Sequence, residues 1–494
     1  NVSVGGTTTV NLSAEGRVAN LDAIQVIGTR IINRVDVHST ESATNITREE
    51  WARLPVEQSL SSVALLAPGV ITGNSSFGGI SFGGSSVAEN SVYINGLNVT
   101  DFYRRQSFST APFAFFQEYQ VKTGGYSVEF GRATGGVINA VTRSGSNRFE
   151  GGVQVTFEPE AWKASRKDRE FHAQNSNGTQ VDAFYRASRD RSTFTKTNVW
   201  ASGPLVKDRL FLFAMYEYRD TNSVNTNDSG TLFYDNKTGD GFWGAKLDWR
   251  ITDNQLLELL AFSDESQTDQ VVYDYDWETG EKADPGPRIL ESGGRSGSVT
   301  YTVHIGQNFT AKAMAGVNKS SSFTRSPVDD VCSGVFVDSS YRSVYESMGS
   351  PRVGCHPTGS SVIYHTDERE VGRLDFEWSL GDHFIRFGLD REVMSTDRIN
   401  RYPGDGRTYT AYRLGAGEQL DNGATLPPGV TDIIMARELR EGGVFESTAT
   451  AWYVEDNWNV TPTLLLNLGV RVDEFHNKTA AGTTFIKLDN LVSP

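Results

Sequence analysis

Side chains that could do chemistry are few in this chain and widely spaced. Of its seven histidines, His38, His172, His304 and His383 fall in different segments and none stands at metal-ligand spacing, so no metal site is expected. Serine, histidine and aspartate all occur, yet no spacing gathers them into a nucleophilic triad; no catalytic residue is assigned, and the chain does not read as an enzyme. The run Tyr273-Asp274-Tyr275-Asp276-Trp277-Glu278-Thr279-Gly280 sets carboxylates beside a glycine, a donor set that suits Ca²⁺. It departs from the EF-hand loop and reads as a solvated acidic loop. Cys332 and Cys355 share one long polar segment and read as a disulfide closing a surface loop in an oxidising compartment, worth about 3 kcal/mol on a loop-entropy model. Two free thiols are the alternative. What remains is charge: Glu129 and Arg132 are suited to charge-assisted hydrogen bonds with groups on another element, with plain surface charges as the alternative.

Those two charges sit in Gly124–Asn147, GGYSVEFGRATGGVINAVTRSGSN. Glycines fall there wherever the chain must turn or pass close to another backbone, between short β-type runs such as Val137-Ile138-Asn139-Ala140-Val141. Upstream, Thr47-Arg48-Glu49-Glu50 has capping-box spacing and predicts a short helix ended by Pro55. A second helix is predicted from Val56 to Leu66, stopped by Pro68-Gly69. Residues 71–90 read as a Gly- and Ser-rich loop, Ser91 to Gly96 as a strand and turn, and Glu118-Tyr119-Gln120-Val121 as another strand.

Beyond residue 147 the organisation changes. Strand pairs are joined by short turns at Lys207-Asp208, Asp253-Asn254, Gly306-Gln307-Asn308, Gly381-Asp382 and Thr461-Pro462-Thr463, and by long polar segments at 158–192, 264–294, 320–368 and 394–444. The strands have period two. Trp243, Ala245, Leu247, Trp249 and Ile251 oppose Gly244, Lys246, Asp248 and Arg250; Leu374, Phe376, Trp378 and Leu380 oppose Arg373, Asp375, Glu377 and Ser379; Leu464, Leu466, Leu468, Val470 and Val472 form a third apolar row. Alternation alone does not say which face is inside, and a soluble sandwich alternates too. Strands of about ten residues, with turns short on one side and long on the other, predict a transmembrane antiparallel β-barrel.

Bulk composition agrees. At 494 residues, 38% hydrophobic and with a mean hydropathy of -0.39, the chain has no apolar run long enough for a spanning helix. A barrel strand needs only about 9–11 residues, of which alternate ones face lipid. A net charge of -15 without clustered Lys or Arg excludes a nucleic-acid partner. Asn1 opens without a charged n-region or apolar h-region, so any signal peptide is expected to lie outside this sequence.

On these motifs the chain resembles the TonB-dependent outer-membrane receptors. Gly124–Asn147 is similar to the last part of the plug domain, which in that family leads into the first strand of a large barrel. Leu54-Pro55, Leu60 and Leu65 to Val70 are similar to the opening plug helices, and Asn95-Gly96 stands where the family usually has Asp-Gly. The resemblance implies a mainly β fold: a barrel of about 22 strands when complete, about eleven of them here, with an N-terminal α/β plug in its lumen. It divides the chain into 1–17, a remnant of a carboxypeptidase-regulatory-like β-sandwich; 18–34, a linker; 35–146, the plug; and 147–494, the N-terminal half of the barrel. The long loops and the sandwich remnant most resemble the Oar-like branch.

The resemblance also implies roles. Asp22, Ala23, Ile24, Gln25, Val26 and Ile27 resemble the TonB box, a strand that the periplasmic coupling protein TonB takes up by edge addition; an ordinary linker strand is the alternative. Glu129 and Arg132 are expected to pair with the barrel wall across a polar, hydrated contact, since a greasy seal would be too hard to displace. Substrate is expected to meet Asn74 to Ser86, Tyr103, Arg104 and Arg105 on the plug and Trp162, Tyr185, Tyr273 and Trp277 on the loops, although aromatics there equally suit interfacial girdles. The implied function is active transport across the bacterial outer membrane, with TonB and lipid as partners and no cofactor. Cargo is not named by the sequence: siderophore, oligosaccharide, peptide and protein all suit the architecture. Outward export or surface assembly, and a surface adhesin, are the other readings.

Overall fold

A computed structural model describes residues 41–51, 53, 60–73, 79–102, 109–174, 180–337, 361–415, 417–420 and 423–493. Asp22 to Ile27, Tyr103, Arg104, Arg105 and Cys355 lie outside the described residues.

The N-terminal unit is built on a five-stranded sheet in the spatial order Ser42–Thr47, Phe116–Gly124, Val137–Thr142, Ser91–Ile94, Leu97–Asn98. The capping box forms: Glu50 Oε2 accepts from Thr47 N at 2.8 Å and from Thr47 Oγ1 at 3.0 Å, opening the helix Arg48–Trp51. Trp51 then packs its ring 5.4 Å from Phe113 and 4.9 Å from Tyr119, which ties the helix to the sheet. Asn95 and Gly96 both take positive φ, 49° and 86°, the corner that a two-residue hairpin requires. Asn at this corner has a second use: its amide donates to Thr142 Oγ1 at 2.7 Å and accepts from Thr142 N at 2.9 Å. A carboxylate could do only the latter. The expected loop at 71–90 holds more structure than its composition suggests, since Val70–Thr72 pairs with Ile80–Phe82 and a 3-10 turn covers Val87–Glu89. The second helix is described over Leu60–Ala64 and gives way to a turn at Leu65 and Leu66, while residues 56–59 lie outside the described residues.

Residues from Glu150 onward form a second sheet of thirteen antiparallel strands, running essentially in chain order from Glu150–Glu158 to Thr484–Ser493. All five short turns lie where the sequence puts them. Strand lengths do not match the expectation of about ten residues. Lys282–Ile305 has 24, Arg440–Thr461 has 22 and Leu232–Thr252 has 21. The segment expected as a loop at 264–294 is largely strand, Ser266–Tyr275 and the start of Lys282–Ile305, and the one expected at 394–444 begins as the end of the strand His383–Arg401 and closes on the start of Arg440–Thr461. Their outer halves carry polar residues on both faces, as in Asp397-Arg398-Ile399-Asn400, so period two fades while the hydrogen-bond ladder continues. Above them, Gly334–Val337, Arg407–Arg413 and Asp432–Glu438 form a separate small sheet.

Burial settles the sense of the alternation. Trp378 is 41% exposed and Leu374 43%, whereas Arg373, next to Leu374 in the opposite row, is 9% exposed. Trp243 and Trp249 face out while Lys246 and Asp248 are buried. The wall is thus apolar outside and charged inside, the inverse of a soluble sandwich and the arrangement lipid demands. Strands Arg191–Val206, Leu210–Thr226, Leu232–Thr252, Gln255–Ser263, Phe309–Arg325, Val362–Leu380, His383–Arg401, Arg440–Thr461 and Leu464–Lys478 touch the N-terminal unit with their inward faces. A flat sheet could not do so; this one curls around a plug.

Candidate functional site: the contact between plug and wall

The Gly-rich run forms a loop that projects from the plug sheet into four wall strands. Tyr126 closes it by donating its hydroxyl to Ala133 O. Ser127 Oγ donates to Glu455 Oε2 at 2.5 Å, and the same oxygen accepts from Val128 N at 3.1 Å. Arg471 donates to Val128 O at 3.1 Å and Glu129 O at 3.2 Å, and is held by Asp473 at 3.1 Å and Asp390 at 3.4 Å. An ideal Cβ at Gly131 would lie 2.5 Å from that guanidinium, so only glycine admits so close an approach.

Two charged side chains complete the clamp. Glu129 pairs with Arg373, which is oriented by Asp375 at 2.7 Å. Arg132 pairs with Glu392, which also meets Arg369 Nε at 3.3 Å, and Arg369 Nη1 donates back to the plug at Asn98 O, 3.0 Å away. Burial alone would raise the Glu129 carboxyl, but Arg373, then Arg386 and Lys122, outweigh it and hold the group at about 2. Burial, then Glu392, pushes the Tyr93 phenol up to about 12. Burial opposes the charge on Arg132 too, yet Glu392 and Asp390 hold its guanidinium above the usual value. Buried pairs of this kind add little net stability, while stripping one partner costs about 3–5 kcal/mol. Such a contact is specific without being adhesive.

The opposite side of the plug is different, and corrects the expectation of a polar contact throughout. The Phe115 ring is fully buried, 5.0 Å from Phe242, 5.8 Å from Phe262 and 6.2 Å from Phe213 of the wall. Arg143 lies 3.7 Å over Trp200. Next to this patch Asp264 accepts from Ser109 Oγ at 2.8 Å and Thr110 N at 2.7 Å, and Arg219 donates to Thr110 O at 3.2 Å. Here the plug core continues into the wall. Between plug and wall lies a cavity of about 1000 Å³ whose lining includes Lys122, Glu129, Glu258, Arg373, Arg386 and Glu455.

Of the residues singled out in the sequence, Glu129 and Arg132 are thus brought together at the wall. Tyr273 and Trp277 join one cluster at the tip of the hairpin Ser266–Tyr275 and Lys282–Ile305, through Phe233 and Tyr275. Arg189 lies 4.4 Å over Trp277 and Lys282 3.4 Å over Phe233. Trp162 is 81% exposed and has no ring contact to that cluster among the described residues; Tyr185 is 36% exposed. Asp276 spends a carboxylate oxygen on the turn, accepting from Glu278 N at 2.8 Å and Thr279 N at 2.9 Å. Cys332 is buried and is not a free thiol. One serine spacing, Gly79-Ile80-Ser81-Phe82-Gly83, matches a nucleophile elbow on paper, but Ser81 is in a short strand with its hydroxyl donated to Ser85 O at 2.7 Å. Sequence reading missed the wall partners Arg369, Asp390, Glu392, Glu455, Arg471 and Asp473, and missed Phe115 and Asp264. The charged rows of period-two strands were visible, but not what each charge would meet.

A model of the outer membrane beta barrel domain matches residues 227–490, and one of the TonB-dependent receptor plug domain matches residues 35–137. The TonB-dependent transporter Oar of Myxococcus xanthus is 33% identical over 218 residues, 41% of this chain and 19% of that protein. Among solved structures, the outer membrane transporter YddB from Escherichia coli superposes with a TM-score of 0.58 at 15% identity, over 88% of this chain and 56% of that one. A mutant of the ferric enterobactin receptor PfeA from Pseudomonas aeruginosa gives 0.52 at 16% identity, over 88% and 57%. The chain therefore spans little more than half the length of these solved structures, and the likeness to them is one of fold.

Proposed function

We propose a transport role from one premise: this chain belongs to the TonB-dependent receptor family of the bacterial outer membrane, whose members are transporters and receptors, not enzymes. In this reading cargo binds from outside, TonB takes up the strand Asp22 to Ile27, and traction on that strand draws loop 127–132 off the wall. The path opens beside the charged strands Val362–Leu380 to Leu464–Lys478, above the cavity of about 1000 Å³. The observation that carries it is the clamp on loop 127–132, made of ion pairs and hydrogen bonds that water can replace. The Phe115 patch keeps the plug attached on its other side while the clamp opens.

Cargo contacts are assigned in the same reading to Tyr103, Arg104 and Arg105 on the plug and to Trp162, Tyr185, Tyr273 and Trp277 on the loops, with Cys332 and Cys355 bridged to hold one loop. Deleting Asp22 to Ile27 from the full-length receptor tests the role directly. Cells challenged with labelled ferric siderophores, oligosaccharides and peptides should keep surface binding of the recognised class and lose its uptake. Unchanged uptake would refute the assignment.

A further inference from the structure

Glu41 is the first described residue after the segment that TonB is proposed to pull, and its carboxylate points into the plug rather than to solvent. Both its oxygens lie 2.8 Å from Lys122 Nζ, and Oε1 also accepts from Ser127 N at 3.1 Å. Ser127 is the residue whose hydroxyl donates to Glu455 of the wall at 2.5 Å. Lys122 in turn lies 4.7 Å over the Phe130 ring, inside the same loop. A continuous polar chain thus runs from the start of the edge strand Ser42–Thr47, through Glu41 and Ser127, to the wall.

Nothing in the strand pairing requires it. Ser42–Thr47 is already tied to Phe116–Gly124 by its own ladder, and an edge strand needs no acid at its head. A carboxylate that receives a lysine and a loop amide together makes displacement of residue 41 and displacement of residue 127 one event. We propose that Glu41 is a positioning residue that couples the N-terminal traction point to the wall clamp on loop 127–132. This rests on the transport reading above, and it adds where the pull is first felt. Coupling is reciprocal: loosening Ser127 from the wall must loosen the head of the edge strand, just as removing Glu41 must loosen the clamp.

Hydrogen exchange on the full-length receptor in lipid nanodiscs reads local opening at both ends without any cargo or TonB. Glu41→Ala should speed exchange at the Ser127 and Val128 amides by about tenfold, the effect of losing a charged hydrogen bond. Ser127→Ala, a mild change that leaves both carboxylates in place, should speed exchange across residues 42–47 by at least about threefold. Ser144→Ala removes a plug–wall bond to Lys246, 3.0 Å, that does not involve Glu41, and should leave residues 42–47 unchanged. The proposal is overturned if Glu41→Ala leaves Ser127 and Val128 protected, or if Ser127→Ala leaves residues 42–47 as slow as in the unaltered receptor. Either failure would leave the transport reading standing, because uptake is not what is measured.

Discussion

At Glu129 two opposing effects meet, and their balance sets a pH dependence. Burial favours the neutral acid, but the facing arginines win and bring its pKa from the ordinary 4.5 to about 2. A depressed carboxylate stabilises the folded state fully above its unfolded pKa and loses that contribution as pH falls through the folded one. Between pH 5 and 8 the Glu129–Arg373 contact should therefore be constant. Glu129→Gln should lower the urea resistance of the docked plug at pH 7 by an amount on the order of 3 kcal/mol. That deficit should shrink between about pH 4.5 and pH 2, and a deficit independent of pH would show that the ion pair is not its source. Glu129 and Arg132 were legible because opposite charges stood in a glycine-rich run. Arg373 and Glu392 were not, since a charged residue on an alternating strand looks the same whether it meets solvent, lumen or plug.

Among the elements, the two sides of the plug divide the work by chemistry. Loop 127–132 is held by ion pairs and hydrogen bonds, whereas Phe115 is packed against wall aromatics and Ser109-Thr110 is pinned by Asp264. Phe115→Ala should cost about 3–5 kcal/mol of plug docking, measured as a fall in its urea midpoint, and should do so equally at pH 3 and pH 7. Gly316→Val should also destabilise it, because a Cβ there would lie 2.7 Å from Leu97 Cδ1. Intact docking in the Phe115 variant would mean that the aromatic patch holds nothing. Nothing in the run Pro112-Phe113-Ala114-Phe115-Phe116 itself distinguishes plug core from wall contact, and only the wall strands brought beside Phe115 reveal a seam. Short turns were legible because their residues fix the backbone locally. Strand ends were not, because the polar outer halves lose the alternation while keeping the ladder.

The whole molecule turns on a wall that is greasy outside and charged within. That inversion could be suspected from period-two strands and lopsided turn lengths, but the direction of facing required burial. It predicts that Leu374→Arg, on the outward row, costs about 2–4 kcal/mol of membrane stability, whereas Ser379→Arg on the cavity side is tolerated in the same detergent-to-bilayer folding assay. The central claim, that loop 127–132 must leave the wall for cargo to pass, can be tested by locking it there. An ideal Cβ at Gly469 would lie 2.6 Å from Val128 Cγ1, so cysteines at 128 and 469 are near enough to bridge without removing a charge. Cells carrying the Val128→Cys, Gly469→Cys receptor should bind cargo normally, fail to take it up while the bridge is oxidised, and recover uptake on reduction. Undiminished uptake through the oxidised bridge would contradict the account.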